Sequence, residues 1–293
     1  MKGIFCVIIL VLSFLEAKSQ IITDSVLIEN RYRTFHFNKP KQSTKNYDLV
    51  FLLHGSGGNG KGMLKPAMNL EKESGKEPIF LVYPDGYKRY WNECRKAATS
   101  VANLENINEQ AFFSAMVRYF NKNYQINDQQ FFAIGLSGGG HLAYKLALTM
   151  PEKCKGISAI VANLPDAANL DCPELKKPVA VLIINGTKDS VNPYEGGKMM
   201  VNGSSYGGVR STDGTFNYWA SIAGYKGKPV VEELPDTNTT NNQTITRSTF
   251  RGKGKPEVTL LKVVGGEHAF PEDVDGFIES WQFFKRQKAG AKK

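Results

Sequence analysis

Short apolar runs recur along the chain, separated by amphipathic stretches. Residues 48–53 (DLVFLL), 79–83 (IFLVY), 131–135 (FFAIG), 157–161 (ISAIV), 179–184 (VAVLII) and 258–264 (VTLLKVV) are apolar almost throughout. Runs of that length and continuity predict strands buried on both faces of a parallel sheet. Residues 25–28 and 32–37 predict two further strands, paired as an antiparallel edge. Between the strands, residues 110–123, 138–150, 215–222 and 272–285 carry helical spacing. Such alternation predicts an α/β architecture, a mainly parallel central sheet with helices on both faces, and one domain over residues 20–293. No internal repeat is visible. The polar stretch 236–249 (DTNTTNNQTITRST) is expected to be a solvated surface loop, with a long hairpin as the alternative.

Residues 1–19 stand apart from this pattern. Lys2 gives a positive start, residues 4–15 an apolar stretch, and Ala17-Lys18-Ser19 a small-residue cleavage site. This is the order of a signal peptide, and the apolar run is shorter than the roughly 18–20 residues of a bilayer span. A secreted or periplasmic protein without a stable membrane anchor is therefore expected. Export implies an oxidising compartment, and three cysteines remain after residue 19. Cys154 and Cys172, close in sequence and flanking predicted elements, are the expected pair, leaving Cys94 free, with three free, partly buried thiols as the alternative.

The formal charge of +9 falls to about +8 when Lys2, Glu16 and Lys18 leave with the leader. Much of the excess sits in a lysine-rich tail, and no basic stripe is interleaved with aromatics as single-stranded nucleic acid requires. No nucleic-acid partner is expected. CxxC and HExxH spacings are absent and only four histidines are present, so neither a metal nor an organic cofactor is expected.

Candidate chemistry centres on FFAIGLSGGGHLAYKLAL, residues 131–148, which sets Ser137 in G-x-S-x-G between a predicted strand and a predicted helix. A serine on such a turn is a nucleophile elbow, where glycines let strand and helix pass closely. Ser205 also satisfies the pattern within NGSSYGG but has neither flanking element. Acyl transfer needs a base, a group to orient it and oxyanion donors. Of the histidines, His36 lies on an edge strand, His54 in the LHGSGG loop and His141 one turn into the elbow helix. His268 follows the last predicted strand in VVGGEHAFP and fits the order Ser, Asp, His. Asp189 follows the strand VAVLIIN in a tight turn and is the expected acid, with Asp166 in reserve. The backbone N–H of Ser56, or of Gly57, together with that of Gly138, would receive the oxyanion. Gly60-Lys61 does not complete a phosphate-binding GxxxxGK[ST] pattern.

The blocks LLHGSGGNG (52–60), VYPDGYKRYWNE (82–93), IGLSGGGHLAYKLA (134–147), IINGTKDSVNPYEGG (183–197) and VVGGEHAFP (263–271) resemble the secreted α/β-hydrolases of the polyhydroxybutyrate depolymerase-like and feruloyl esterase-like group, which includes carbohydrate esterases. The resemblance implies an α/β-hydrolase fold and a Ser137–His268–Asp189 triad. Asn185 and Phe270 depart from the group, which often carries histidine and tryptophan there. Trp91, Asn92, Tyr194, Trp219 and Phe270 are candidates for lining a substrate cleft, since aromatic faces suit sugar rings and phenolic acyl groups. The expected function is carboxylic ester hydrolysis on an acylated oligosaccharide, releasing ferulate or acetate, or on a short polyester. A serine peptidase and a non-catalytic carbohydrate-binding module are the remaining alternatives.

Overall fold

The computed structural model describes residues 21–39, 46–124, 126–201 and 203–290. The leader read in residues 1–19 lies outside the described residues. Strands β1 (Ile22–Ile28), β2 (Arg31–Phe37), β3 (Tyr47–Leu53), β4 (Ile79–Pro84), β5 (Ile126–Leu136), β6 (Cys154–Ile160) and β7 (Ala180–Gly186) are followed by β8 (Gly197–Val201) and β9 (Ser204–Val209), then β10 (Val230–Glu233), β11 (Thr244–Gly252) and β12 (Lys255–Val264). Ten of them form one sheet in the order β1-β2-β4-β3-β5-β6-β7-β12-β11-β10. The six from β4 to β12 are parallel, and antiparallel pairs close both edges.

The apolar runs explain the layering. In β3, Leu49, Phe51 and Leu53 enter one core while Val50 and Leu52 enter the other. The first core is covered by α3 (Glu109–Tyr124), α4 (Gly138–Thr149) and α5 (Thr212–Ile222); the second by α1 (Met68–Ser74) and α6 (Gly276–Gly290). The short α2 (Val101–Leu104) precedes α3. Helix starts follow local chemistry. Ser211 caps α5 by accepting the N–H of Gly214 at 3.0 Å, and Asp275 Oδ1 accepts the N–H groups of Phe277 and Ile278 at the start of α6.

Because β4 and β5 lie on opposite sides of β3, the chain reverses its winding there. Ligands of open α/β sheets gather in the crevice at the carboxyl ends of the strands near such a reversal. The loops after β3, β5, β7 and β12 all leave from that end.

Two expectations are corrected. Residues 244–249 are not a solvated loop but the first part of β11, paired with β12 and burying Ile245. Alternating threonines suit a strand next to the sheet edge, flanked by β10 and β12, that needs apolar contact on one face only. Residues 237–241 are also tied down, through N–H groups of Thr237 and Asn238 and the amide of Asn241 bonded to the Asp273 carboxylate. The disulfide joins Cys94 to Cys172, not Cys154 to Cys172. An antiparallel bridge between Arg95 and Leu170, with the Asp171 N–H on the Cys94 oxygen at 2.8 Å, brings the first pair together. Cys154, at the start of a central strand, is buried and free.

Candidate active site

Strand β5 ends one residue before Ser137, and α4 begins one residue after it. Ser137 has φ 52° and ψ −114°, outside the comfortable regions for a residue with a side chain, at a cost of ~1–3 kcal/mol. Its N–H is fixed to the Ile160 oxygen at 2.8 Å. The tight passage of helix over strand excludes side chains: a Cβ on Gly135 would sit 2.1 Å from the Gly139 oxygen. Likewise a Cβ on Gly138 would lie 2.9 Å from the Ser56 nitrogen. The start of α4 and the loop after β3 therefore meet.

His268, in the loop after β12, places Nε2 2.9 Å from Ser137 Oγ and Nδ1 2.7 Å from Asp189 Oδ2. The Asp189 carboxylate is fully buried, and the imidazole is 22% exposed. Asp189 Oδ1 accepts the N–H groups of Val191 at 2.9 Å and Asn192 at 2.7 Å. These donors hold the carboxylate in one orientation, leaving Oδ2 for the imidazole. The two loops are also tied to each other, Lys188 N–H to the Gly266 oxygen at 2.8 Å and Gly265 N–H to Thr187 Oγ1 at 2.9 Å. Nothing in the sequence signals these cross-loop bonds.

The reserve residues lie elsewhere. Asp166 Oδ1 accepts the Asn169 N–H, in a turn against the β8–β9 hairpin. His36 sits between Thr23 and Asp85, with Nε2 3.1 Å from Asp85 Oδ2. Ser205 lies on β9, its Oγ accepting the Gly207 N–H. His54 is buried, with Nδ1 2.8 Å from the Gly55 oxygen and Nε2 receiving the Gly86 N–H at 2.9 Å. Those partners select one neutral tautomer, and burial lowers its pKa below the ordinary histidine value.

Gly57 cannot serve as an oxyanion donor, because at φ 76° its N–H turns away to the Arg89 oxygen at 2.9 Å. Gly138 opens α4, so its N–H is not needed within the helix.

Four of the five cleft candidates are corrected. Trp91 is buried, its indole N–H donating to the His54 oxygen at 2.8 Å. Asn92 is buried with its amide on the Ile107 oxygen. Tyr194 is buried with its hydroxyl on Asp213 Oδ1. Trp219 is a core residue stacked on Tyr144, ring centres 6.1 Å apart. Phe270 is half-buried against Phe277, two residues beyond His268. Asn185 is buried, its side chain bonded to Ala162, Asn163 and Thr212, joining the end of β7 to the segment after β6 and to α5. Its substitution for histidine removes no member of the serine–histidine–aspartate arrangement.

The sheet, the elbow and this hydrogen-bonded trio define an α/β-hydrolase. The chain belongs to the phospholipase/carboxylesterase family, whose pattern it matches over residues 38–206, and is a serine-type carboxylic ester hydrolase. It is 24% identical over 266 residues to a probable feruloyl esterase C of Aspergillus niger, spanning 88% of this chain and 84% of that protein. Against the probable feruloyl esterase C of Aspergillus terreus the identity is 26% over 263 residues, spanning 86% and 83%. Among solved structures, an acetyl xylan esterase from Aspergillus awamori superposes with a TM-score of 0.59 at 16% identity, covering 90% of this chain and 99% of that one. At that identity the likeness is one of fold. No described helix is long and apolar enough to cross a membrane.

Proposed function

We propose that this protein is an exported esterase that releases ferulate or acetate from acylated oligosaccharides through an acyl-enzyme on Ser137. The observation that carries the reading is the continuous hydrogen-bonded chain from Asp189 through His268 to Ser137 Oγ. Asp189 Oδ2 holds the proton on Nδ1, so Nε2 is free to act as base. Ser137 Oγ attacks the ester carbonyl carbon as its proton passes to Nε2. The N–H groups of Ser56 and Gly138, brought together where the two loops meet, receive the negative charge on the carbonyl oxygen. Collapse breaks the carbon–oxygen bond to the sugar, and His268 returns the proton to the departing alcohol. Water then attacks the acyl-enzyme, its proton going to His268, and the carboxylic acid leaves as Ser137 recovers its hydrogen.

Likeness to feruloyl esterases over more than four-fifths of the chain supports the acyl group, and the composition of residues 1–19 with the Cys94–Cys172 disulfide supports export. Phe270, half-buried and two residues beyond His268, is the remaining aromatic candidate for touching substrate. The test is a side-by-side assay of purified enzyme on feruloylated and acetylated xylo-oligosaccharides and on hydroxybutyrate trimers, with Ser137→Ala as control. The sugar esters are expected to give kcat/KM at least about tenfold higher, a gap of about 1.4 kcal/mol in transition-state binding. Preference for the trimer would replace the carbohydrate reading with a polyester one.

A further inference from the structure

A separate pocket of about 300 Å³ opens beside the loop after β3, at the small end of the roughly 300–1,000 Å³ typical of ligand pockets. Its walls include Tyr32, Arg33, Asn59, Asp85, Tyr87 and Arg89. Gly58 lines it too, two residues beyond Ser56, whereas Ser137, Asp189 and His268 do not. The pocket and the reaction centre thus share one loop.

One wall is a turn whose backbone is costly. The Tyr90 N–H bonds to the Tyr87 oxygen at 3.0 Å, and the residues between, Lys88 and Arg89, have φ of 47° and 75°. A tight turn with both central residues left-handed is ordinarily filled by Asn-Gly, and side chains there are strained. Here the chain spends that strain on two cations.

Their charges are not equally free. Lys88 Nζ and Arg31 both pair with Glu105, at 3.1 and 3.2 Å, and the Tyr87 hydroxyl donates to the same carboxylate. Arg33 is buried against Glu109 at 2.9 Å, and its Nη1 has no hydrogen-bond partner among the described residues. Asp85 directs its oxygens to the Gly60 N–H and to His36. Arg89 is exposed, its guanidinium has no carboxylate partner among the described residues, and its side chain bonds the Gly58 oxygen at 3.4 Å through Nε. With the Arg33–Glu109 pair cancelling, Arg31, Lys88 and Arg89 outnumber Glu105 and Asp85 by one positive charge. Tyr32, 75% exposed, presents an aromatic face at the rim.

We propose that this pocket binds a uronic acid unit of the oligosaccharide whose ester is cleaved at Ser137. Tyr32 offers its ring face to the C–H side of the sugar, Arg89 meets the carboxylate, and the amide N–H groups of Asn59, whose Oδ1 accepts the Gly62 N–H, donate to hydroxyls; the Tyr87 ring is already covered by Arg31 and Lys88. The proposal rests on the carbohydrate-ester reading and names the alcohol side of that substrate.

Binding to the full-length Ser137→Ala protein tests it without turnover. The probes are xylotetraose bearing one glucuronic acid and unsubstituted xylotetraose, neither esterified, titrated calorimetrically. The acidic probe is expected to bind about fivefold more tightly, a preference that shrinks with added salt. Arg89→Gln in the same background is expected to erase that preference, and Tyr32→Ala to weaken both probes at least about threefold. Both substitutions change exposed side chains, and thermal unfolding near the parent midpoint verifies that each variant is folded. Equal affinity for the two probes, or a preference that survives Arg89→Gln, would overturn the proposal. Failure of the underlying reading shows elsewhere, as an active-site-intact enzyme that does not deacylate neutral sugar esters.

Discussion

The indole N–H of Trp91 donates to the main-chain oxygen of His54 at 2.8 Å, and the two rings lie 4.7 Å apart with their planes inclined by 33°. His54 in turn bonds the Gly55 oxygen and the Gly86 N–H. The loop that carries Ser56 is thereby held from the 86–91 segment through both backbone and side chains. Replacing Trp91 by Phe keeps much of the ring but leaves a buried carbonyl without its donor, a loss of about 1–3 kcal/mol. Urea unfolding should register that loss. Steady-state kinetics on a short nitrophenyl ester should show kcat falling more than KM rises if, as proposed, the displaced Ser56 N–H receives the oxyanion. A rise in KM alone would mean that Trp91 meets substrate after all.

Ser137→Ala and His268→Ala are each expected to lower kcat by roughly 10⁴-fold or more, and the double variant by little beyond either, because nucleophile and base act as a unit. Asp189→Asn should cost somewhat less while disturbing the turn held by Val191 and Asn192. Near-native turnover in Ser137→Ala would remove the elbow serine from the mechanism.

Acid should destabilise the fold before its carboxylates titrate. Burial lowers the pKa of His54, and burial together with the positive charge of Arg95 lowers that of His141 well below the ordinary value. An unfolded chain therefore takes up protons at these positions first. Their contribution is complete above about pH 6.5, the ordinary histidine value, and is lost as pH falls toward the depressed folded values. Denaturation midpoints measured from about pH 7.5 down to about pH 5 should decline, and His141→Leu should flatten the slope. An unchanged slope in that variant would assign the acid sensitivity to other groups.

Cys94 and Cys172 lie 78 positions apart, and closing so long a loop restricts the unfolded chain substantially. Exchanging both for serine is expected to cost about 2–4 kcal/mol. Cys154 is fully buried, which pushes its thiol above the usual range and keeps it from reacting. Mass spectrometry after alkylation under native conditions should find no label on Cys154, and non-reducing peptide maps should find Cys94 linked to Cys172.

The central strands were legible because burial on two faces leaves no room for polar alternation, as in Leu49 to Leu53. Ser137 was legible because the elbow needs a strand, a serine among glycines and a helix in immediate succession. His268 and Asp189 followed from the loops at the ends of neighbouring strands. What escaped was direction and long-range proximity. An aromatic residue in a loop has no periodicity to say whether it faces solvent or core, so Trp91 read as cleft lining although it holds a carbonyl. Trp219 had helical spacing but belongs to the inner face of α5. The partner of Cys172 was set by the Arg95–Leu170 bridge, a tertiary contact with no local signature. The strained Lys88-Arg89 turn was equally silent, because its sequence lacks the glycine or asparagine that marks such turns.

The clearance between β5 and α4 has an evolutionary corollary. A methyl group at residue 135 has nowhere to go beside the Gly139 oxygen, so even alanine there would push the helix and carry the serine with it. In a saturation library selected only for folding, with Ser137 already replaced by alanine, position 135 would still return glycine. Its invariance, wherever it is met among relatives, records the thickness of a peptide rather than the demands of a reaction.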